Sequence, residues 1–254
     1  MCHGAVGIEF RGALDGYDRS CYCQGMNASL LKKNGADAGE PCRSKGQISR
    51  AAILHAAAKL ATTKGLDGLS IGDLAAEVGM SKSGLYAHFK SKEELELATI
   101  ETAAAIFDSE VLQPVTRAPA GVARLKSLAN SFLSHLERRV FPGGCFFAAV
   151  AAELDTRPGP ARERVVEVLN LWLSLLKQCI LDAQAIGEID PHAEVDQVVF
   201  EIQAMLLTAN FLFVMTNDPL RLTQARRGVE DVLGQVAVRA KSKKRQSARD
   251  RAAG

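Results

Sequence analysis

The 254-residue chain lacks the features that mark membrane, secreted and disulfide-bonded proteins. No stretch approaches the roughly 20 consecutive apolar residues of a membrane-spanning helix. Residues 1–25 contain no basic segment followed by an apolar run, which a secretory signal would need. Six cysteines in this length do not indicate a disulfide scaffold. Without a membrane span or a signal, we expect a soluble cytoplasmic protein with no membrane partner. The apolar content of 47% is ample for a buried core, in one large domain or two small ones.

Charge is distributed unevenly along the chain, although the net charge is only +2. Residues 43–92 hold eight Lys or Arg against three Asp or Glu, whereas residues 93–238 hold twelve against twenty. Residues 239–251 hold seven against one. A basic head on an acidic body suits a protein with one face on phosphates and another function elsewhere. A chance solvated face is the alternative.

Strand signals are also missing, because no segment shows strict alternation of apolar and polar residues, and the pattern predicts an all-α fold. The most informative stretch predicts two short helices joined by a tight turn. Ser70 is a helix N-cap, Gly79 ends that helix and Ser81 caps the next. The first helix carries one apolar stripe, formed by Ile71, Leu74, Ala75 and Val78. This is the pattern of a helix-turn-helix, whose second helix lies in the DNA major groove.

Residues 47–98 resemble the TetR (tetracycline-repressor-like) family of transcriptional regulators. The most specific part is the run GMSKSGLYAHFKSKEEL at residues 79–95, with Tyr86, Phe89 and Lys92 in phase. Gly72 departs from the family, in which many members carry a larger residue there. The segment 143–147 is similar, less specifically, to the C-terminal halves of TetR-type proteins. The resemblance implies a sequence-specific DNA-binding transcriptional regulator, most simply a repressor released from its operator by a small-molecule effector.

The resemblance and the composition together predict four segments. We expect a disordered N-terminal extension at 1–44, a three-helix helix-turn-helix domain at 45–92, a helical effector-binding and dimerisation domain at 93–239, and a basic disordered tail at 240–254. Met26 opens a segment that looks like an ordinary protein start, so we expect translation to begin there, with Met1 as the alternative. The tail could add non-specific DNA affinity.

Double-stranded operator DNA is the expected partner of the head. Lys82 suits a guanine edge, because a cationic donor matches its two acceptors, and Gly84 would let the helix backbone approach the duplex. Ser70 can cap its helix and also meet a phosphate. The resemblance implies that Tyr86 touches phosphate or a thymine methyl and that Lys92 pairs with phosphate. The full set of predicted DNA contacts is Arg43, Lys45, Ser70, Ser81, Lys82, Ser83, Gly84, Tyr86, His88 and Lys92.

The body is expected to form a homodimer and to hold the effector. Helices 160–185 and 192–216 are apolar around more than one face, which fits an interface of four helices between two subunits. A monomer core is the alternative. An apolar pocket favours a hydrophobic or aromatic effector, whose identity the sequence does not give. The candidate pocket residues are Phe107, Phe132, His135, Phe146, Phe147, Trp172 and Met205, each of which could instead be plain core.

Other functions have weaker support. An activator or an effector-independent regulator is the alternative within DNA binding, and an interaction module without DNA binding is more remote. Glu153, Asp155 and His135 could be imagined as an acid–base set, but no nucleophile or phosphate loop accompanies them, so we expect no enzyme. A thiol switch at Cys145 or Cys179 would need an exposed thiol of low pKa. No cofactor or metal is expected, since the only remaining metal-ligand chemistry, at Cys2, His3, Cys21 and Cys23, matches no closed zinc motif.

Overall fold

A computed structural model describes residues 45–238 of the chain, with side chains from residue 50 onward. The described residues form nine α-helices and no strand, which confirms the predicted all-α class. The predicted extension at 1–44 and the tail at 240–254, with Met26, lie outside the described residues. The first four helices are α1 (Lys45–Lys64), α2 (Ile71–Glu77), α3 (Lys82–Tyr86) and α4 (Lys92–Phe107).

The body contains the remaining helices. After α4 the chain continues through a wide helical turn, Asp108–Leu112, and a tight one, Gln113–Val115, which contains Pro114. The other helices are α5 (Val122–Glu137), α6 (Phe146–Leu154), α7 (Pro160–Ala185), α8 (Val195–Thr216) and α9 (Leu220–Val236). Helix α8 begins three residues later than predicted, because the Asp190 carboxylate accepts the His192 N–H (2.9 Å) and holds that residue in a turn.

The head has its own small core, which explains why its short helices are stable. Each of the three helices contributes fully buried apolar side chains: Ile53 and Ala57 from α1, Leu74 from α2 and Leu85 from α3. Leu66, in the turn between α1 and α2, is also fully buried. Burying a leucine side chain contributes roughly 1.5–3 kcal/mol, which offsets the cost of forming helices of seven and five residues. The predicted boundary at residue 92 falls at the first turn of α4, a continuous helix that belongs to both head and body.

Helix α8 is long and apolar enough to cross a membrane by length and composition, with a mean hydropathy of 1.8. The core helix of a globular protein meets the same two criteria, so this finding alone is weak evidence for a membrane span. One face of α8 packs into the body through Val198, Ile202, Leu206 and Phe213. The opposite face carries an exposed apolar stripe, which we call the α8 stripe: Phe200, Leu207, Phe211 and Met215.

Candidate nucleic-acid interface and effector site

Helix α3, the predicted recognition helix, turns its polar side chains outward. Its N-cap Ser81 accepts a hydrogen bond from the Gly84 N–H (3.1 Å), which satisfies one of the free donors of the first turn. Leu85 is completely buried, whereas Tyr86 is 64% exposed. Lys82 and Ser83 are also exposed. Three of the side chains that the sequence assigned to DNA, those of Lys82, Ser83 and Tyr86, are therefore open to solvent on α3.

The turn before α3 fixes the angle between the two short helices. Gly79 has φ of +66°, a left-handed conformation that side chains strongly disfavour. Its N–H bonds to the Ala76 carbonyl (3.3 Å), and the Met80 N–H bonds to the Ala75 carbonyl (2.9 Å). This pair of bonds is the Schellman closure of a helix C-terminus. A glycine at this position is therefore required by the backbone of the motif.

Gly72 makes room for Lys82. A Cβ atom added at Gly72 would lie 3.2 Å from Lys82 Cε and 3.5 Å from its Nζ. The Lys82 side chain thus lies across the first turn of α2, over a position where family members often carry a larger residue. The Ser70 hydroxyl, at the same helix end, accepts the Asp73 N–H (2.9 Å) and remains exposed to solvent.

Lys92 lies at the edge of this surface and is half-exposed, but it is not free. Its Nζ lies 2.8 Å from Asp67 Oδ1 and donates to the Asp67 carbonyl at 3.0 Å. The hydrogen bond from Lys92 lowers the pKa of Asp67 below its usual value. A phosphate that contacts Lys92 therefore has to compete with Asp67.

The remaining predicted DNA contacts are less well placed or lie outside the description. His88 is half-buried, with its ring 6.4 Å from that of Phe89. A Cβ at Gly84 would lie 3.2 Å from Ser81 Oγ, so this glycine also makes room for the cap. Arg43 and the side chain of Lys45 lie outside the described residues.

Six of the seven predicted pocket residues come together in the body. Phe107 is central, with its ring 5.6 to 6.4 Å from those of four predicted partners, in edge-to-face arrangements. Phe141 joins them next to His135, at 5.6 Å between ring centroids. The sequence analysis missed Phe141, because it precedes Pro-Gly-Gly and was assigned to a connection. We call this group the aromatic cluster: Phe107, Phe132, His135, Phe141, Phe146, Phe147 and Trp172.

His135 is the unusual member of the aromatic cluster. It is 1% exposed, and neither ring nitrogen has a hydrogen-bond partner among the described residues. Burial lowers its pKa to about 4, so the imidazole is neutral at physiological pH. Trp172, in contrast, satisfies its indole N–H with Gln203 (2.8 Å). A buried polar group without a partner usually indicates a bound water or ligand, or a role in function.

Met205 does not join the aromatic cluster. It lies on α8 facing α9, where its sulfur would be 2.7 Å from a Cβ added at Gly228. The two helices border an open groove of about 490 Å³, whose lining includes Phe200, Met205 and Gly228. Met205 therefore lies at the α8–α9 groove, because sequence periodicity does not distinguish the core-facing side of an apolar helix from a half-buried side next to it. Its place in the effector pocket stays a prediction.

The structure also shows where the residues of the proposed thiol switch and of the acid–base set lie. Cys145 and Cys179 are buried, and burial raises the pKa of both thiols, that of Cys179 to about 11. Neither is therefore the exposed, low-pKa thiol that a switch requires. Glu153 accepts hydrogen bonds from backbone N–H groups of the head, whereas His135 lies in the aromatic cluster, so these two members of the imagined acid–base set have different partners. Cys2, His3, Cys21 and Cys23 lie outside the described residues.

A polar contact joins α6 of the body to the head. The Glu153 carboxylate accepts the backbone N–H groups of Leu66 and Asp67, both at 2.7 Å. Arg157, just after α6, lies 2.8 Å from Asp67 Oδ1, and its other terminal nitrogen donates to the buried Glu96 carboxylate (3.3 Å). We call these residues the head–body contact: Asp67, Lys92, Glu96, Glu153 and Arg157.

The sequence analysis missed the head–body contact. The only indication of this contact in the sequence was Glu153 itself, the single charged residue of the helix FFAAVAAEL. Its partners are more than 80 residues away in sequence, and two of them are backbone groups. No local pattern predicts such a pairing.

Fold and site together define a helix-turn-helix protein with a separate helical body, and comparison with known proteins identifies its family. Residues 53–99 match the family model of bacterial regulatory proteins of the tetR family, and residues 121–229 match a tetracyclin repressor-like C-terminal domain. The HTH-type transcriptional repressor ComR of Escherichia coli is 28% identical over 153 residues, which cover 58% of this chain and 71% of ComR.

Solved structures agree with this assignment. A TetR transcriptional regulator from Chloroflexus aurantiacus has a TM-score of 0.72 and 29% identity, over 77% of this chain and 98% of that one. AibR, solved with isovaleryl coenzyme A and operator DNA, has a TM-score of 0.58 and 24% identity, over 74% and 97% of the two chains. The chain belongs to the TetR family, whose members are DNA-binding transcriptional regulators and not enzymes.

The low pKa of His135 makes stability fall on mild acidification. Because the folded-state pKa is about 4 and the ordinary value is 6.5, the unfolded chain binds the proton first as the pH falls below 6.5. His135 should thus lower the free energy of unfolding by about 2 kcal/mol between pH 7 and pH 5. Chemical denaturation at both pH values should show a smaller loss in His135→Leu. The same substitution at the exposed His192 should leave the loss unchanged, and an equal loss in wild type and His135→Leu would contradict this account.

Proposed function

We propose that this protein is a dimeric repressor, released from its operator by a small apolar or aromatic effector. The observation that carries the proposal is the solvent-facing surface of α3, on which Lys82, Ser83 and Tyr86 stand outward from a buried Leu85. A recognition helix needs such an outward row to reach base edges and phosphates. The repressor role is supported by the similarity to the transcriptional repressor ComR, and binding of both a small molecule and an operator by the similarity to AibR, solved with isovaleryl coenzyme A and operator DNA.

The geometry favours different roles for the two lysines. Lys82 begins the recognition helix and extends over Gly72, where a flexible ammonium can reach a guanine edge in the major groove. Lys92 is at the start of α4, where it can meet the phosphate backbone beside the groove. Base contacts specify sequence, whereas phosphate contacts position the protein and make affinity depend on salt.

The α8 stripe supports a two-fold dimer through α8 and α9. Phe211 is 61% exposed, and the four members of the stripe recur at seven- and four-residue spacing along one side of the helix. A contiguous exposed apolar surface is typical of an interaction site. The apolar pattern of the sequence predicts an interface of helices 160–185 and 192–216, and the part assigned to the first of these, α7, stays a prediction. We propose α9 as the partner of α8, because α9 packs along α8 and the two helices border the open groove whose lining includes Phe200.

The aromatic cluster is the best candidate for the effector site. Its rings are buried and apolar, and His135 supplies a neutral imidazole that can both donate and accept a hydrogen bond. Such a site favours an uncharged effector with an aromatic or branched apolar part and one hydroxyl or carbonyl group. Binding there would leave the two nitrogens of His135 partnered.

Gel-shift titration on the DNA flanking the gene tests the roles of the two lysines. Lys82→Ala should reduce affinity for the operator by about 1–3 kcal/mol and leave affinity for unrelated DNA nearly unchanged, because it removes a base contact. Lys92→Ala should weaken binding to both and lower the slope of log affinity against log salt by about 1. Lys126→Ala, at an exposed lysine on α5, is the control. Unchanged binding in both head variants would refute a DNA-binding role for this surface.

Dimerisation can be tested at the α8 stripe. Phe211→Glu should convert the dimer into a monomer, since a carboxylate buried at an interface without a partner is strongly unfavourable. Light scattering after size exclusion measures the mass, and operator affinity should fall with it. Ile186→Glu provides a matched control, because Ile186 is similarly exposed (58%) but lies outside the stripe. A Phe211→Glu protein that remains dimeric would exclude this interface.

Trp172 is the only tryptophan of the chain, so its fluorescence reports directly on the aromatic cluster. We expect p-cresol to change this fluorescence and to bind several-fold more tightly than toluene, since a hydrogen bond to a buried partner contributes about 1 kcal/mol. His135→Leu should remove that preference while keeping toluene binding. Saturating p-cresol should also release operator in the gel shift. Equal affinities of the two compounds for the wild type would argue against His135 as the polar contact.

A further inference from the structure

We propose that the end of α6 positions the DNA-binding head: Glu153 fixes the turn between α1 and α2, and Arg157 competes with Lys92 for the Asp67 carboxylate. The docked α6 thereby leaves the Lys92 ammonium available to a DNA phosphate. This inference rests on the phosphate contact proposed for Lys92, and the experiment below distinguishes failure of the two.

The backbone of the head is built to receive Glu153. Gly65 ends α1 with φ of +77°, and a Cβ added there would lie 2.6 Å from Glu153 Oε2. The same carboxylate accepts the next two backbone N–H groups, of Leu66 and Asp67. Charge-assisted bonds of this kind are short and strong. A side chain at residue 65 would displace the carboxylate, so the turn and α6 are matched to each other.

Asp67 is shared between the two cations. Lys92 Nζ and Arg157 Nη1 each lie 2.8 Å from the same oxygen, Asp67 Oδ1. Arg157 Nη1 forms an ion pair with Asp67 but no hydrogen bond to it, whereas Lys92 Nζ donates a hydrogen bond to the Asp67 carboxylate. Arg157 is held in place by the buried Glu96, so it stays beside Asp67 when Lys92 leaves.

The sharing of Asp67 by Lys92 and Arg157 determines how easily a DNA phosphate replaces Asp67 as the partner of Lys92. With Arg157 present, the Asp67 carboxylate keeps a cationic partner after Lys92 turns to DNA. Without Arg157, Asp67 depends on Lys92 alone, and its negative charge near the duplex also repels phosphate. Withdrawal of α6 therefore weakens DNA binding through Lys92 and also releases the α1–α2 turn that Glu153 holds.

Helix α6 also reaches the proposed effector site. Phe146 and Phe147, in its first turn, belong to the aromatic cluster, and Glu153 is in its last turn. Nine residues of α-helix span only about 14 Å. A ligand that displaces Phe147 therefore acts on a short rigid element whose other end holds the head.

A double-mutant cycle between Arg157→Gln and Asp67→Asn tests the inference on the full chain with operator DNA. Arg157→Gln should weaken operator binding about tenfold and lower the salt slope by about 1, as Lys92→Ala does. In the Asp67→Asn background the same change should weaken binding less than about twofold. Arg162→Gln, at an exposed arginine on α7, controls for loss of one positive charge. Glu96 also lies 3.8 Å from Lys92 Nζ, so in Arg157→Gln it becomes a second carboxylate that can hold Lys92. The cycle is therefore repeated with Glu96→Gln in every variant.

The cycle distinguishes failure of this inference from failure of the phosphate contact proposed for Lys92. Equal weakening by Arg157→Gln with and without Asp67, or an effect no larger than that of Arg162→Gln, overturns the inference while the phosphate contact of Lys92 stands. Normal operator binding by Lys92→Ala overturns the phosphate contact itself. Loss of the Arg157 effect in the Asp67→Asn background, with the Lys92→Ala defect intact, supports both.

Discussion

Two side-chain contacts that join α4 to the two ends of α6 are the constraint on which the link between head and body depends, while both helices pack against α7. At one end of the pair, the rings of Phe107 and Phe147 meet at 6.0 Å, and at the other end Glu96 of α4 pairs with Arg157 just after α6. Helix α4 has 16 residues, about 24 Å, and its first residue, Lys92, belongs to the head. Because protein interiors are close-packed, we expect a movement of the rings at one end to be felt at the polar contacts of the other.

Most of the fold could be predicted from the sequence, because local signals determine it. Ser70, Gly79 and Ser81 act through backbone groups within a few residues, and the structure shows the caps and the turn that they predicted. Aromatic residues at helical spacing likewise predicted six members of the aromatic cluster. Met205 lies next to Gly228 of α9 and not among these rings. Because α8 is apolar on two sides, the helical spacing of its apolar residues fits the body core and the α9 surface equally well.

The polar part of the site was beyond sequence reasoning for a physical reason. The Lys92 side chain carries a role taken from the family resemblance, yet in this chain it is held by Asp67, a residue of the α1–α2 turn that no motif singles out. Which carboxylate a lysine meets depends on tertiary geometry over a few ångströms, and charge counts contain no such information. The same holds for Glu153, whose partners are two backbone N–H groups.

The chemistry of the head–body contact suits a reversible role better than an apolar contact would. Exposed ion pairs such as Lys92 with Asp67 contribute little to stability, so exchanging one cation for another has a small net free-energy change. An apolar interface of leucines would add roughly 1.5–3 kcal/mol for each side chain and would have to be separated as a unit. An effector needs only a differential affinity of a few kcal/mol to shift a two-state equilibrium. Polar contacts at the head and apolar packing in the body therefore place the weak, exchangeable interactions where the protein has to change state.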